Sequence, residues 1–115
     1  MKTICLIDDL TYGIPQLINA IPKDFKYEFF YFSSVKDINR WDFDIVLLDY
    51  YLDKDGITGK EVISKINSSC IIAFSSEGSC NQELRSLGAN FSIKKLQKTH
   101  QNILLQQFLQ EYLKK

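Results

Sequence analysis

The amino-acid sequence predicts an α/β protein in which a doubly wound parallel sheet carries helices on both faces. Two observations predict this class: five apolar runs of strand length recur, and between them the apolar residues take the spacing of a helix. Alternating strands and helices build parallel sheets through right-handed crossovers. With 115 residues, 45% of them hydrophobic, the chain is expected to form a single domain, residues 1–115, around one core.

The predicted elements alternate regularly along the chain. The strand runs are 3–7, 27–32, 44–48, 70–74 and 90–93. Apolar residues three and four positions apart indicate helices over 14–21, 35–38, 62–66, 84–87 and 99–115. Pro22 is expected to end the first helix, and Gly88 is expected to close the fourth.

Composition and charge exclude several classes of protein. Fourteen basic and fourteen acidic residues cancel, so the chain has no general attraction for nucleic acid or an anionic membrane surface. The N-terminal apolar run is too short for a signal peptide, which favours a cytoplasmic protein. Cys5, Cys70 and Cys80 are odd in number and lack metal-type spacing, so neither a disulfide framework nor a zinc site is expected.

Polar residues follow four of the predicted strands at the point where each strand ends. They are Asp8 and Asp9, Asp49, Ser75 and Lys94. Because the carboxyl ends of parallel strands meet at one edge of a sheet, we expect these side chains to lie together at a ligand site. Crowded carboxylates repel one another, and Mg²⁺ is the cation that suits such oxygen ligands.

This set of residue types points to phosphoryl transfer. With a metal ion bound, one carboxylate can act as a nucleophile toward phosphorus. Lys94 would supply a compact positive charge, and Ser75 would supply a hydroxyl donor to a phosphoryl oxygen.

Four ordered motifs resemble the receiver domain of two-component response regulators. LIDDL resembles the family's acidic pair, IVLLDYYL its phosphoacceptor strand and turn, IIAFSS its strand ending in threonine or serine, and FSIKKL its strand ending in lysine. The resemblance runs from Lys2 to the C-terminus. It implies the (βα)5 fold of CheY-like proteins, with strand order 2-1-3-4-5.

The resemblance also implies a role for each matched acid. Asp49 matches the residue that accepts a phosphoryl group from a histidine kinase or phosphotransfer protein. Asp9 matches a direct Mg²⁺ ligand, and Asp8 a carboxylate that acts through water. The backbone carbonyl of Tyr51 would be a further ligand.

Ser75 and Lys94 match the two groups that contact the phosphate in the family. The family lysine precedes a proline, whereas Lys94 precedes Lys95, which stays an alternative for the active amine. Lys94 is favoured because Phe91, three residues earlier, then matches the aromatic residue that turns inward on phosphorylation. The short segment between Ser75 and Phe91 predicts a short fourth helix.

The function implied is a signalling module that catalyses only its own phosphorylation and dephosphorylation. A protein partner would read the face formed by the fourth helix, fifth strand and fifth helix. The unusual loop DKDGITG and the missing proline leave open a pseudo-receiver that binds partners without phosphorylation. A flavodoxin-like nucleotide or flavin binder is disfavoured, because no glycine-rich loop follows the first strand.

Overall fold

The computed structural model describes residues 1–114 and confirms the doubly wound α/β class. The strands are β1 (Lys2–Ile7), β2 (Tyr27–Phe32), β3 (Ile45–Leu48), β4 (Tyr51–Leu52), β5 (Ile57–Thr58), β6 (Ile71–Ala73) and β7 (Phe91–Ser92). The α-helices are α1 (Gly13–Ala20), α2 (Gly59–Val62), α3 (Gly78–Ser86) and α4 (Ile103–Tyr112). Short 3-10 turns cover Val35–Asp37, Asp53–Asp55 and Ile63–Lys65.

Five of the strands form one parallel sheet in the order β2-β1-β3-β6-β7. Counted along the chain within this sheet, the order is 2-1-3-4-5, as the resemblance implies. Ile7 at the end of β1 pairs with Phe32 of β2 and with Leu48 of β3. This register brings the residues that follow β1 and β3 to the same edge of the sheet.

Two apolar clusters lie on opposite faces of the sheet. Alternate residues of β1 point to opposite sides, so Cys5 and Ile7 join one cluster while Ile4 and Leu6 join the other. Burial raises the pKa of the Cys5 thiol to about 12. This thiol therefore stays protonated at neutral pH and packs as a small apolar side chain.

The second predicted helix is reduced to the 3-10 turn Val35–Asp37. The turn is held from a distant loop by Asp55, whose carboxylate accepts hydrogen bonds from the Ser34 hydroxyl at 2.7 Å and the Val35 amide at 2.8 Å. Apolar spacing suggested a helix here, but these long-range hydrogen bonds stabilise a tighter turn.

The loop after β3 forms a small hairpin in which β4 and β5 pair antiparallel. Gly56 makes the turn with φ of 67°, a conformation that favours glycine. The next helix, α2, begins with a capping box between Thr58 and Glu61 and ends after one turn at Val62. The third predicted helix is therefore present but short.

The last two helices are both present, but the prediction of a short fourth helix over 84–87 was wrong. The segment between β6 and β7 holds the nine-residue helix α3. Helix α4 begins at Ile103, where the Asn102 side chain accepts a hydrogen bond from the Leu105 amide, and so starts later than Thr99. Lys115, included in the predicted terminal helix, lies outside the described residues. Within residues 1–114 no helix has the length and apolarity to cross a membrane.

Gly59 provides a test of how tightly α2 packs on the strand end. A Cβ at this position would lie 2.6 Å from the carbonyl oxygen of Asp49. We expect Gly59→Ala to lower the free energy of unfolding by about 1–3 kcal/mol, because the backbone must shift. At Gly78 a Cβ would meet nothing within 4 Å. Urea unfolding should therefore show Gly78→Ala unchanged to within about 0.5 kcal/mol, and equal losses in both variants would contradict this packing.

Candidate functional site

The carboxyl ends of β1 and β3 bring three carboxylates together. Asp8 and Asp9 directly follow β1, and Asp49 directly follows β3. The Asp49 amide donates a hydrogen bond to the carbonyl of Ile7 at 2.9 Å, which holds the two strand ends side by side. One carboxylate oxygen from each aspartate lies within 4.8 Å of the other two.

The amine beside these acids belongs to Lys95 and not to Lys94. Lys95 is 2% exposed, and its Nζ lies 2.6 Å from Oδ2 of Asp8 and 3.3 Å from Oδ2 of Asp49. Lys94 is exposed. The sequence favoured Lys94 as the amine beside the carboxylates, and this prediction was wrong.

Alternation along the extended segment from β7 onward explains this difference. Ile93 and Lys95 are buried, whereas Ser92 and Lys94 point to the exposed side. Phe91 packs against α4, with its ring centroid 4.7 Å from that of Phe108. The residue three positions before the buried amine is Ser92, so Phe91 does not occupy the position predicted for a switch aromatic.

Burial and the adjacent negative charge of Asp8 raise the pKa of Asp49 to about 7. The ammonium of Lys95 acts in the opposite direction on Asp49. Burial alone would lower the pKa of Lys95, but the charges of Asp8 and Asp49 outweigh it and raise that pKa above its ordinary value. The site therefore combines an amine that is charged at neutral pH with a carboxyl group whose pKa lies at about 7.

Helix α1 and the loop before it shape the space around the amine. A Cβ on Gly13 would lie 3.4 Å from Cδ of Lys95 and 3.3 Å from Phe74. The ring centroid of Tyr12 lies 5.0 Å from Nζ of Lys95, within the range of a cation–π contact. Sequence reasoning did not single out Tyr12 or Gly13, because neither belongs to a motif and both act through distant contacts.

Ser75 lies buried at the end of β6, where its backbone is held by Asn81 of α3. Asn81 accepts a hydrogen bond from the Ser75 amide at 2.8 Å and donates one to the Ser75 carbonyl at 3.0 Å. The Ser75 hydroxyl accepts a hydrogen bond from the Glu77 amide at 3.2 Å. The Lys95 amide donates to the Ser75 carbonyl at 3.0 Å, which ties the two strand ends together. Asn81 belongs to none of the sequence motifs, so the sequence alone did not indicate its role.

Asp9 connects the acidic cluster to the hairpin. Its Oδ2 accepts hydrogen bonds from the amide of Asp53 at 2.9 Å and, more weakly, from that of Lys54 at 3.4 Å. These bonds orient the Asp9 carboxylate from the loop side. Tyr51 lies in β4 and is 45% exposed, and the role of its carbonyl as a metal ligand stays a prediction.

Three solved receiver domains share this fold over nearly the whole chain. The phosphorylated cyanobacterial phytochrome response regulator RcpA has a TM-score of 0.67 at 17% identity, covering 96% of this chain and 90% of its own. A response regulator receiver domain from Rhodospirillum rubrum has a TM-score of 0.65 at 19% identity, covering 96% and 94%. A CheY-like receiver domain protein from Methanospirillum hungatei JF-1 has a TM-score of 0.57 at 18% identity, covering 99% and 98%.

No protein-family model matches this sequence, and no curated protein matches it. The structural comparisons therefore show which fold the chain has. The chain has the CheY-like receiver fold, as the four sequence motifs indicated.

The raised pKa of Asp49 makes the stability of the fold depend on pH. The unfolded chain loses the Asp49 proton near pH 3.8, whereas the folded chain keeps it up to about pH 7. Stability contributed by this group is therefore lost as the pH rises from about 4 to about 7. Without divalent cations, we expect Asp49→Asn to be more stable than the native chain at pH 8 by roughly 1–3 kcal/mol.

This difference should shrink as the pH falls toward 3, where Asp49 is largely protonated in both the folded and the unfolded chain. Urea unfolding over a series of pH values measures it, with the exposed Asp24→Asn as the control that should show no such trend. A stability difference between Asp49→Asn and the native chain that stays constant from pH 4 to pH 8 would contradict the electrostatic account.

Adjacent lysines allow a matched test of the buried ion pairs. Lys95→Met leaves the carboxylates of Asp8 and Asp49 without their amine, and we expect a loss of about 3–5 kcal/mol in the free energy of unfolding at pH 7. Lys94→Met removes the same charge from an exposed position and should change it by less than about 0.5 kcal/mol. Similar losses in the two variants would show that Lys95 is not the structural cation.

Proposed function

We propose that this chain is a phosphoacceptor receiver domain of a two-component or phosphorelay signalling system, with Asp49 as the acceptor. The observation that carries the proposal is the meeting of three carboxylates and one buried amine at the carboxyl edge of a receiver fold. The fold alone would not carry it, because one fold hosts many functions. The similar structures are named as response regulators or receiver domains, and one of them as phosphorylated.

The acidic cluster fits a hard divalent cation such as Mg²⁺. Its donor atoms are all oxygens, and among residues 1–114 the only amine paired with any of its three carboxylates is that of Lys95, which contacts Asp8 and Asp49. We propose that Asp8, Asp9 and Asp49 hold the ion, with the carbonyl of Tyr51 as a further ligand suggested by the resemblance. When bound, the ion would offset negative charge on the transferring phosphoryl group.

Asp49 would act as the nucleophile. One of its carboxylate oxygens attacks phosphorus while the bond from phosphorus to the donor breaks, and the donor leaves with the bonding electrons. The nearby Lys95 ammonium favours the ionised form of Asp49 that can attack. The Ser75 hydroxyl accepts a hydrogen bond from Glu77, so its own hydrogen can turn toward a phosphoryl oxygen.

Phosphorylation would place close to two negative charges beside Lys95 at neutral pH. We propose that the resulting movement of Ser75 and Lys95 reaches the face formed by α3, β7 and α4, where a protein partner reads it. A histidine kinase or phosphotransfer protein is the proposed donor. The chain would act only on its own phosphoryl group, as a signalling module and not as an enzyme with a separate substrate. Its cytoplasmic location, and the absence of nucleic acid and membrane partners, stay predictions.

A pseudo-receiver that binds partners without phosphorylation is the second candidate. Three departures from the receiver pattern favour it. The Asp9 carboxylate already accepts a hydrogen bond from the amide of Asp53. Ser92 stands three residues before the buried lysine, where an aromatic residue was expected, and Leu96 follows that lysine, where the family has a proline. Each departure affects a group that would bind the ion, the phosphoryl group or the signal.

Incubation with acetyl phosphate and Mg²⁺ separates these two candidates. We expect one phosphate on the native chain by intact mass spectrometry, and none after removal of Mg²⁺ with EDTA. Asp49→Asn and Lys95→Met should abolish uptake, whereas Lys94→Gln should still become phosphorylated; circular dichroism establishes that each variant is folded. Uptake that persists in Asp49→Asn would contradict the assignment of the acceptor. A folded native chain that takes up no phosphate would favour the pseudo-receiver.

A further inference from the structure

A cavity of about 460 Å³ opens beside the acceptor site, between the loop after β6 and the segment that follows β7. Its lining residues are Ser76, Glu77, Lys94, Lys95, Leu96 and Gln97. This volume lies within the range of small-ligand sites. Because Lys95 also contacts Asp49, the cavity adjoins the proposed acceptor.

The two lysines of this cavity differ in what their charges can do. The amine of Lys95 is already paired with Asp8 and Asp49. Lys94 is exposed, and among the ion pairs of residues 1–114 its amine takes part in none within 4.0 Å. Lys94 therefore offers a positive charge that a ligand can use.

Hydrogen bonds hold the backbone around Lys94 in place. The Lys94 carbonyl accepts a hydrogen bond from the Asn102 side chain at 2.9 Å, and the Leu96 amide donates one to the buried Gln16 at 3.1 Å. The acid in the lining, Glu77, accepts a hydrogen bond from the Cys80 thiol of α3 at 3.3 Å. The cavity is therefore a recess with a fixed backbone, in which Lys94 is a cation without an ion-pair partner among residues 1–114 and the exposed Glu77 is the opposing charge.

We propose that this cavity is an anion subsite that binds the phosphate group of an incoming small phosphodonor, with Lys94 as its cation. The role given to this subsite rests on the proposed phosphoacceptor function. A cation at the entrance attracts an anionic donor toward the acceptor, also when a divalent ion offsets the charge of the three acids. Lys94 would then act in donor binding, while Lys95 acts at the acceptor.

Inorganic phosphate is the probe that tests the subsite without requiring phosphorylation. With Mg²⁺ present and ionic strength held constant, we expect saturable shifts of the Ser76, Glu77 and Leu96 amide signals by NMR. Lys94→Gln should weaken the affinity about threefold to tenfold, as loss of one nearby charge predicts. Lys94→Arg should restore it. Lys98→Gln removes the same charge from an exposed position outside the cavity and should change nothing.

The rate of phosphorylation by acetyl phosphate provides the second readout. Lys94→Gln should raise the donor concentration needed for half-maximal rate by a similar factor, with the saturated rate kept. Phosphate shifts that are absent, or equal in the native chain and Lys94→Gln, would overturn the subsite. A chain that binds phosphate through Lys94 but takes none onto Asp49 would refute the proposed function and support the subsite.

Discussion

The buried ion pairs of Lys95 with Asp8 and Asp49 are the interaction on which the rest of the site depends. Asp8 is fully buried and Lys95 nearly so, and neither charge could be kept there without the other. The pairs require the end of β7 to reach across to the ends of β1 and β3. They also require a small residue at position 13, because the lysine stem runs close to the backbone of Gly13. One electrostatic requirement therefore constrains both the sheet and the start of α1.

The same short segment connects the buried site to the surface. Extended backbone after β7 points Lys95 inward to the buried acids and Lys94 outward to the cavity lined by Ser76, Glu77 and Gln97. On the opposite side, Asp9 bonds to the amide of Asp53 in the hairpin, and Asp55 of the same turn bonds to Val35. A continuous series of contacts thus runs from the acidic cluster to the turn that replaces the second helix.

Strands were predictable from the sequence because the central strands β1, β3 and β6 are largely buried and form continuous apolar runs, and the edge strands β2 and β7 are half-buried and rich in aromatic or apolar residues. All five runs coincide with strands of the main sheet to within one residue at each end. The second and third helices were less predictable. The second predicted helix became a 3-10 turn, because a long-range hydrogen bond from Val35 to Asp55 outweighs local helical spacing. The third was shortened to α2, where Gly59 packs closely on the backbone of Asp49.

The sequence by itself determined the strands, their likeness to a receiver domain and the acids that end β1 and β3. It also limited the amine to two adjacent lysines. Only the tertiary structure decided that Lys95 and not Lys94 meets Asp8, because the two have the same chemistry and differ only in the side of the extended backbone to which they point. That orientation follows from the burial of Ile93, a packing constraint that a list of motifs does not contain.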